Sequence, residues 1–150
     1  MSEAFQELSA SLLADGYGIR FRANGTSMLP LIGDGEVIIV EPLPARRVRR
    51  GDILLYLKGR GVIAHRVVKI EKANGEPCRF TLRGDTSATA DAPVKATEIL
   101  GRVCAVERDG RRIALSGYRA RWRWLRRQAR AQARDLVAMA LVIIAGRSSD

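Results

Sequence analysis

GDILLYLKGRGVIAHRVVKIE, residues 51–71, reads as two β-strands and the turn that joins them. Gly51-Asp52 punctuates the chain. Ile53–Lys58 and Val62–Glu71 are the strands, and Gly59–Gly61 is a glycine turn between them. β-type patterning continues outward on both sides. Toward the N-terminus, Glu36–Val40 is a Val/Ile-rich strand. Tyr17–Arg22 alternates, with Tyr17, Ile19 and Phe21 on one face, as a half-buried strand does. Asn24-Gly25 marks a turn. Pro42 and Pro44 mark a loop that runs into the basic stretch Arg46–Arg50. Toward the C-terminus, Ala73–Pro77 reads as a loop, Arg79–Arg83 as a strand and Gly84–Pro93 as a long polar loop. Ile99–Arg108 and Arg112–Ser116 form a hairpin around Asp109-Gly110, a strong turn dipeptide. Residues 19–117 are therefore expected to be a mostly β domain.

The flanks read as helices. Residues 2–14 place Phe5, Leu8, Leu12 and Ala4 at helical spacing, and Gly16 and Gly18 end the pattern, giving an N-terminal element over 1–18. From Tyr118 no Gly or Pro occurs until Gly146, and Ala, Arg and Leu dominate. One long helix is expected over 118–147, basic in its first half and apolar in its second. No internal repeat is visible.

With 150 residues, 47% of them apolar, the chain has room for one domain with a real core. Only 5% is aromatic, so that core should rest on Val, Ile, Leu and Ala. The net charge of +10 is unevenly spread. Residues 111–135 hold nine arginines against Asp135, whereas residues 1–110 come close to neutrality at +2. Such a local basic block suits an anionic surface, lipid or nucleic acid. Trp122, Trp124 and Leu125 stand among those arginines, which suits a membrane interface, with Leu136–Ala145 dipping into lipid beside it. An amphipathic helix packed on the β body or on a partner protein is the alternative. Nucleic acid ranks behind both, since no recognised nucleic-acid-binding motif accompanies the charge. The expected location is membrane-associated, or cytoplasmic if the helix packs on the domain. Residues 1–20 have neither the basic start of a signal peptide nor the roughly 20 apolar residues of a span. Two cysteines, Cys78 and Cys104, are too few for a disulfide scaffold; one bridge or two buried thiols both fit. A single histidine, His65, rules out a multi-histidine metal site.

Three stretches carry candidate chemistry. In Gly25-Thr26-Ser27-Met28-Leu29-Pro30, a serine lies between a glycine turn and a proline-stopped segment. That setting can present a hydroxyl and leave backbone N–H groups free for an oxyanion; an ordinary turn serine is the plainer reading. In Ile63–Val68, His65 is the one side chain with an unperturbed pKa near neutrality, as a base for a serine hydroxyl requires. The plainer reading is a core histidine. In Gly84–Asp91, Asp85 and Asp91 either cap turns or orient and stabilise the histidine ring.

Taken together, in this order and spacing, the three resemble the type I signal peptidases, in particular the archaeal and endoplasmic-reticulum branch. Gly25, Ser27, Met28 and Pro30 match that family's serine box. Gly51-Asp52 matches its Gly-Asp strand start. Val62–Val67 matches its histidine box with one residue more between Val62 and His65. Gly84, Asp85 and Asp91 match its acidic loop, with Thr86 where the family has asparagine. The resemblance covers roughly residues 19–104. The bacterial branch places a lysine where His65 stands; Lys58 and Lys69 lie nearby but in neither motif position. The membrane anchor usual before the serine box is not seen. The self-cleaving repressor peptidases share the core fold without an anchor, and use a lysine base.

The resemblance implies a core of coiled antiparallel sheets and a Ser–His(–Asp) endopeptidase that needs no metal or cofactor. It implies Ser27 as nucleophile, His65 as general base and Asp85 or Asp91 as its orienter. The Ser27 backbone N–H, helped by Thr26, would meet the oxyanion, and Met28 would flank the substrate pocket. The implied substrate is an extended stretch of a precursor or exported peptide, with small residues before the cut. A catalytically silent scaffold of the same fold, binding a peptide or a membrane, is the competing function.

Overall fold

A computed structural model describes residues 3–59 and 61–115. In chain order the elements are helix α1 (Glu3–Ala14) and strands β1 (Ile19–Arg22), β2 (Val37–Glu41), β3 (Ile53–Lys58), β4 (Gly61–Ala73), β5 (Glu76–Arg83), β6 (Val94–Lys95), β7 (Ile99–Arg108) and β8 (Arg111–Ala114). Short 3-10 turns lie at Ala45–Arg47 and Ala96–Glu98. All pairings are antiparallel, in the order β1-β2-β7-β3-β4-β5-β6, with β8 beside β7. The expected mostly β body with a short N-terminal helix is what forms. The long helix expected over 118–147, with Trp122, Trp124 and the apolar run after them, lies outside the described residues.

β3 explains how the core is organised. Its first four residues, Ile53–Tyr56, are all buried, so both faces of the strand are covered. Successive side chains of a strand point to opposite faces. Ile53 and Leu55 accordingly enter one apolar cluster, with Met28, Ile32, Ile38, Val40 and Val103. Leu54 and Tyr56 enter a second, with Val48, Val67, Phe80 and Leu82. α1 closes the first cluster with Leu13 and Phe5, whose ring meets Phe21 edge-on at 5.1 Å between centroids.

Several boundaries and faces differ from the sequence reading. The inward face of α1 is Phe5, Ser9 and Leu13, at i, i+4 and i+8, because Ser9 is small enough to pack; Leu8 points outward and is 59% exposed. Tyr17 precedes β1 and is also exposed, so the strand begins at Ile19. The loop expected at Ala73–Pro77 is a two-residue turn. Asn74 and Gly75 both take positive φ, which suits a tight hairpin and lets β5 start at Glu76. Two-residue β6 had no periodicity to reveal it. Cys78 and Cys104 are both free thiols. Among the described residues no helix is long and apolar enough to cross a membrane.

Candidate active site

Ser27 sits in the connection between β1 and β2. Gly25 turns the chain with φ +100°, in the region that favours glycine. Its N–H donates to Asp34 Oδ1 at 2.7 Å, which ties the two ends of the loop together. Met28 then plunges into the first apolar cluster while Thr26 stays exposed. The Met28 carbonyl accepts from Leu31 and Ile32 N–H at 3.0 and 2.9 Å. Ser27 is therefore fixed between an anchored residue and an open one. Neither Thr26 nor Ser27 donates its backbone N–H to another group among the described residues.

His65 is carried by β4, paired across from Leu54 on β3. Its ring is buried and bridges two loops. Nε2 lies 3.0 Å from Ser27 Oγ, and Nδ1 lies 2.5 Å from Asp91 Oδ2. A carboxylate accepts only, so Nδ1 carries the proton and Nε2 is left to accept from the serine hydroxyl. The hydroxyl, imidazole and carboxylate form one connected line.

Asp91 belongs to the loop between β5 and β6, and its N–H donates to the Leu82 carbonyl at 2.8 Å. Its carboxylate has two more partners. Lys58 Nζ donates to Oδ1 at 2.8 Å, and the Tyr56 hydroxyl donates to Oδ2 at 3.0 Å. Burial pushes the Asp91 pKa upward, but the hydrogen bonds from Lys58, His65 and Tyr56 and the charge of His65 outweigh it and hold the group below its ordinary range. Burial, then the neighbouring Asp91 charge and the hydrogen bond to it, push the Tyr56 phenol well up, so Tyr56 stays a donor.

Asp85, the other candidate partner of His65, is turned away from the ring. It takes a bidentate pair from Arg66, with Nε to Oδ1 at 2.7 Å and Nη2 to Oδ2 at 2.6 Å. Arg66 also donates from Nη1 to the Gly51 carbonyl at 2.8 Å, so Gly51-Asp52, β4 and the acidic loop are locked together. The next residue, Thr86, donates its N–H to the Ser27 carbonyl at 3.0 Å, with its hydroxyl 3.2 Å from the same oxygen. Thr86, standing where the resemblance expected asparagine, thus holds the serine backbone.

A cavity of about 340 Å³ opens beside Ser27 and His65, walled by Phe21, Met28, Ile32, Ile38, Leu55 and Val62 among others. Two strand edges border it. Among the described residues β1 pairs with β2 alone, and β4 pairs with β5 only from Arg66 onward, so no described strand covers the outer edge of Gly61–His65. An extended peptide fits such a slot.

The structure places Ser27, His65, Asp91, Met28 and Thr26 together, and holds Asp85 on Arg66 instead. The motifs give no role to Tyr56, to Lys58, which stands in neither motif position, or to Arg66, which reads as a plain strand residue. The period of β3 puts Tyr56 and Lys58 on one face, a signal that points to both once Asp91 is known to meet that face. Among the described residues no group of three or more His, Cys, Asp or Glu is placed to hold a metal ion. The family model described as Peptidase S24-like matches residues 2–104. No curated protein and no solved structure matches the chain.

Proposed function

The chain belongs to the Peptidase S24-like family, a family of serine peptidases, and from that premise we propose a Ser27–His65–Asp91 endopeptidase of signal-peptidase-like specificity. The observation that carries this reading is the 3.0 Å approach of Ser27 Oγ to His65 Nε2, with Asp91 on the far ring nitrogen. A silent scaffold has no use for that alignment.

In this mechanism Ser27 Oγ attacks the scissile carbonyl carbon while His65 Nε2 takes its proton. The oxygen of the tetrahedral intermediate gathers charge beside the Ser27 N–H, helped by Thr26. One preorganised donor of this kind is typically worth about 3 kcal/mol of barrier. Asp91 stabilises the imidazolium, which then gives its proton to the leaving amine. Water, activated by the same ring, releases the acyl group. Met28 and the apolar walls near Ser27 receive side chains that precede the cut. Main-chain hydrogen bonds to the open edges of β1 and β4 supply the affinity, so the substrate is an extended segment of a precursor or exported peptide. Residues 118–146, basic and then apolar, would bring the enzyme to a membrane surface; co-sedimentation with anionic liposomes at low and high salt tests that part.

The experiment on the chemistry is Ser27→Ala and His65→Ala, assayed on extended peptides with small residues before the cut. Each is expected to lose at least about 10³-fold in kcat. Cleavage that persists in both variants ends the assignment.

A further inference from the structure

The Asp91 carboxylate is shared between an imidazole and an ammonium that do different work. Oδ2 faces His65 Nδ1 at 2.5 Å and also accepts from Tyr56. Oδ1 accepts from Lys58 Nζ at 2.8 Å. Lys58 ends β3 beside the turn, and its side chain is 53% exposed, whereas that of Asp91 is largely covered. A half-exposed ion pair contributes little to folding.

A carboxylate alone against an imidazole favours the protonated ring. A protonated ring cannot take the Ser27 proton. An ammonium on the second oxygen offsets that charge, yet leaves the carboxylate ionised and still able to fix the Nδ1–H tautomer. We propose that Lys58 is a positioning residue which, through Asp91, sets the balance between the neutral and protonated forms of His65. The inference rests on His65 being the base for Ser27.

The other groups facing the ring do not duplicate this role. From β3, Tyr56 contributes a neutral hydroxyl. From β4, Arg66 is matched by Asp85 of the acidic loop. The Ser27 loop contributes a hydroxyl. Among the described residues, the charge beside Nδ1 thus comes chiefly from Asp91 and Lys58.

The chain has a single histidine, so one imidazole signal reports the effect. The His65 ring is titrated by NMR in Ser27→Ala, and again with Lys58→Met or Lys58→Arg added. Lys58→Met is expected to move the midpoint upward by about one pH unit, while Lys58→Arg leaves it near the starting value. An unmoved midpoint overturns the inference. So does a downward shift, which is what loss of a strut that merely holds Asp91 against the ring would give. With Ser27 intact, the acid limb of the kcat/KM profile should move upward in Lys58→Met by the same amount; a limb that stays in place also overturns it. The titration needs no substrate. An upward shift in a protein that cleaves nothing therefore counts against the peptidase reading alone. Ser27-dependent cleavage with an unmoved midpoint counts against the role of Lys58 alone.

Discussion

Gly84 lies so close to Ser27 that position 84 has no room for a β-carbon. Such an atom would stand 2.9 Å from the Ser27 carbonyl oxygen and 3.1 Å from the Ser27 Cβ, with Ser87 Oγ at 2.8 Å. The glycine is required here for space at the contact between the acidic loop and the serine box. Gly84→Ala is expected to push Ser27 out of line with His65 and lower kcat by about 10²-fold. It should cost roughly 1–3 kcal/mol of stability from overpacking. Steady-state kinetics beside a denaturant titration separates the two effects. An alanine enzyme with undiminished kcat would mean that the serine backbone tolerates the shift.

The two aspartates of the acidic loop are expected to fail in different ways. Asp91→Asn keeps the shape but removes the carboxylate from Nδ1, and kcat should fall by about 10⁴-fold with the fold intact. Asp85→Ala removes the bidentate carboxylate partner of the Arg66 guanidinium, whose side chain is only 5% exposed. Removing one partner of a buried pair typically costs about 3–5 kcal/mol. The check is denaturant unfolding of both variants: Asp85→Ala should lose far more stability than Asp91→Asn.

Acid should weaken the fold partly through Asp91. Its folded-state pKa lies below the ordinary carboxylate value. The unfolded chain therefore binds protons at a higher pH than the native one, and stability falls as pH falls. The contribution is complete above the unfolded value, about 4, and drains away as pH drops through the depressed folded value. Glu36, held down first by the Arg108 hydrogen bond and then by the Gly33 N–H, acts in the same direction. Thermal unfolding followed from pH 6 to pH 2 should show a steeper acid loss in the unsubstituted protein than in Asp91→Asn. Parallel curves would remove Asp91 from the account.

What the sequence revealed was local, and what it concealed depended on tertiary contact. Asp109-Gly110 and the glycine turn after Lys58 announce their hairpins through residues adjacent in the chain. Serine, histidine and acidic boxes announce themselves as short motifs. The choice between Asp85 and Asp91 could not be read, because it depends on which carboxylate the Arg66 fork captures; buried Arg66 lies in β4, some twenty residues before the loop. Lys58 stands in neither motif position, and its contact with Asp91 comes instead from the strand face it shares with Tyr56. The helix phase departs from the apolar pattern for a similar reason: Ser9 packs inward where a larger apolar residue would be expected, and Leu8 is left outside.

The open edges beside Ser27 lead to a prediction about the substrate itself. β4 begins its pairing with β5 at Arg66, so among the described residues the outer edge of Gly61–His65 has no strand partner, and Val62–His65 line the cavity. β1 offers a second edge, its only sheet partner among the described residues being β2. A peptide laid between them would be held by backbone groups, each net hydrogen bond contributing about 1 kcal/mol. Methylating two backbone nitrogens of a substrate on the side that precedes the cut, with every side chain unchanged, should raise KM by roughly 10- to 30-fold. Because those bonds form in the ground state as well as in the transition state, kcat should change much less. An unaltered KM would mean that the substrate is gripped by its side chains, and the slot between β1 and β4 would then have no part in recognition.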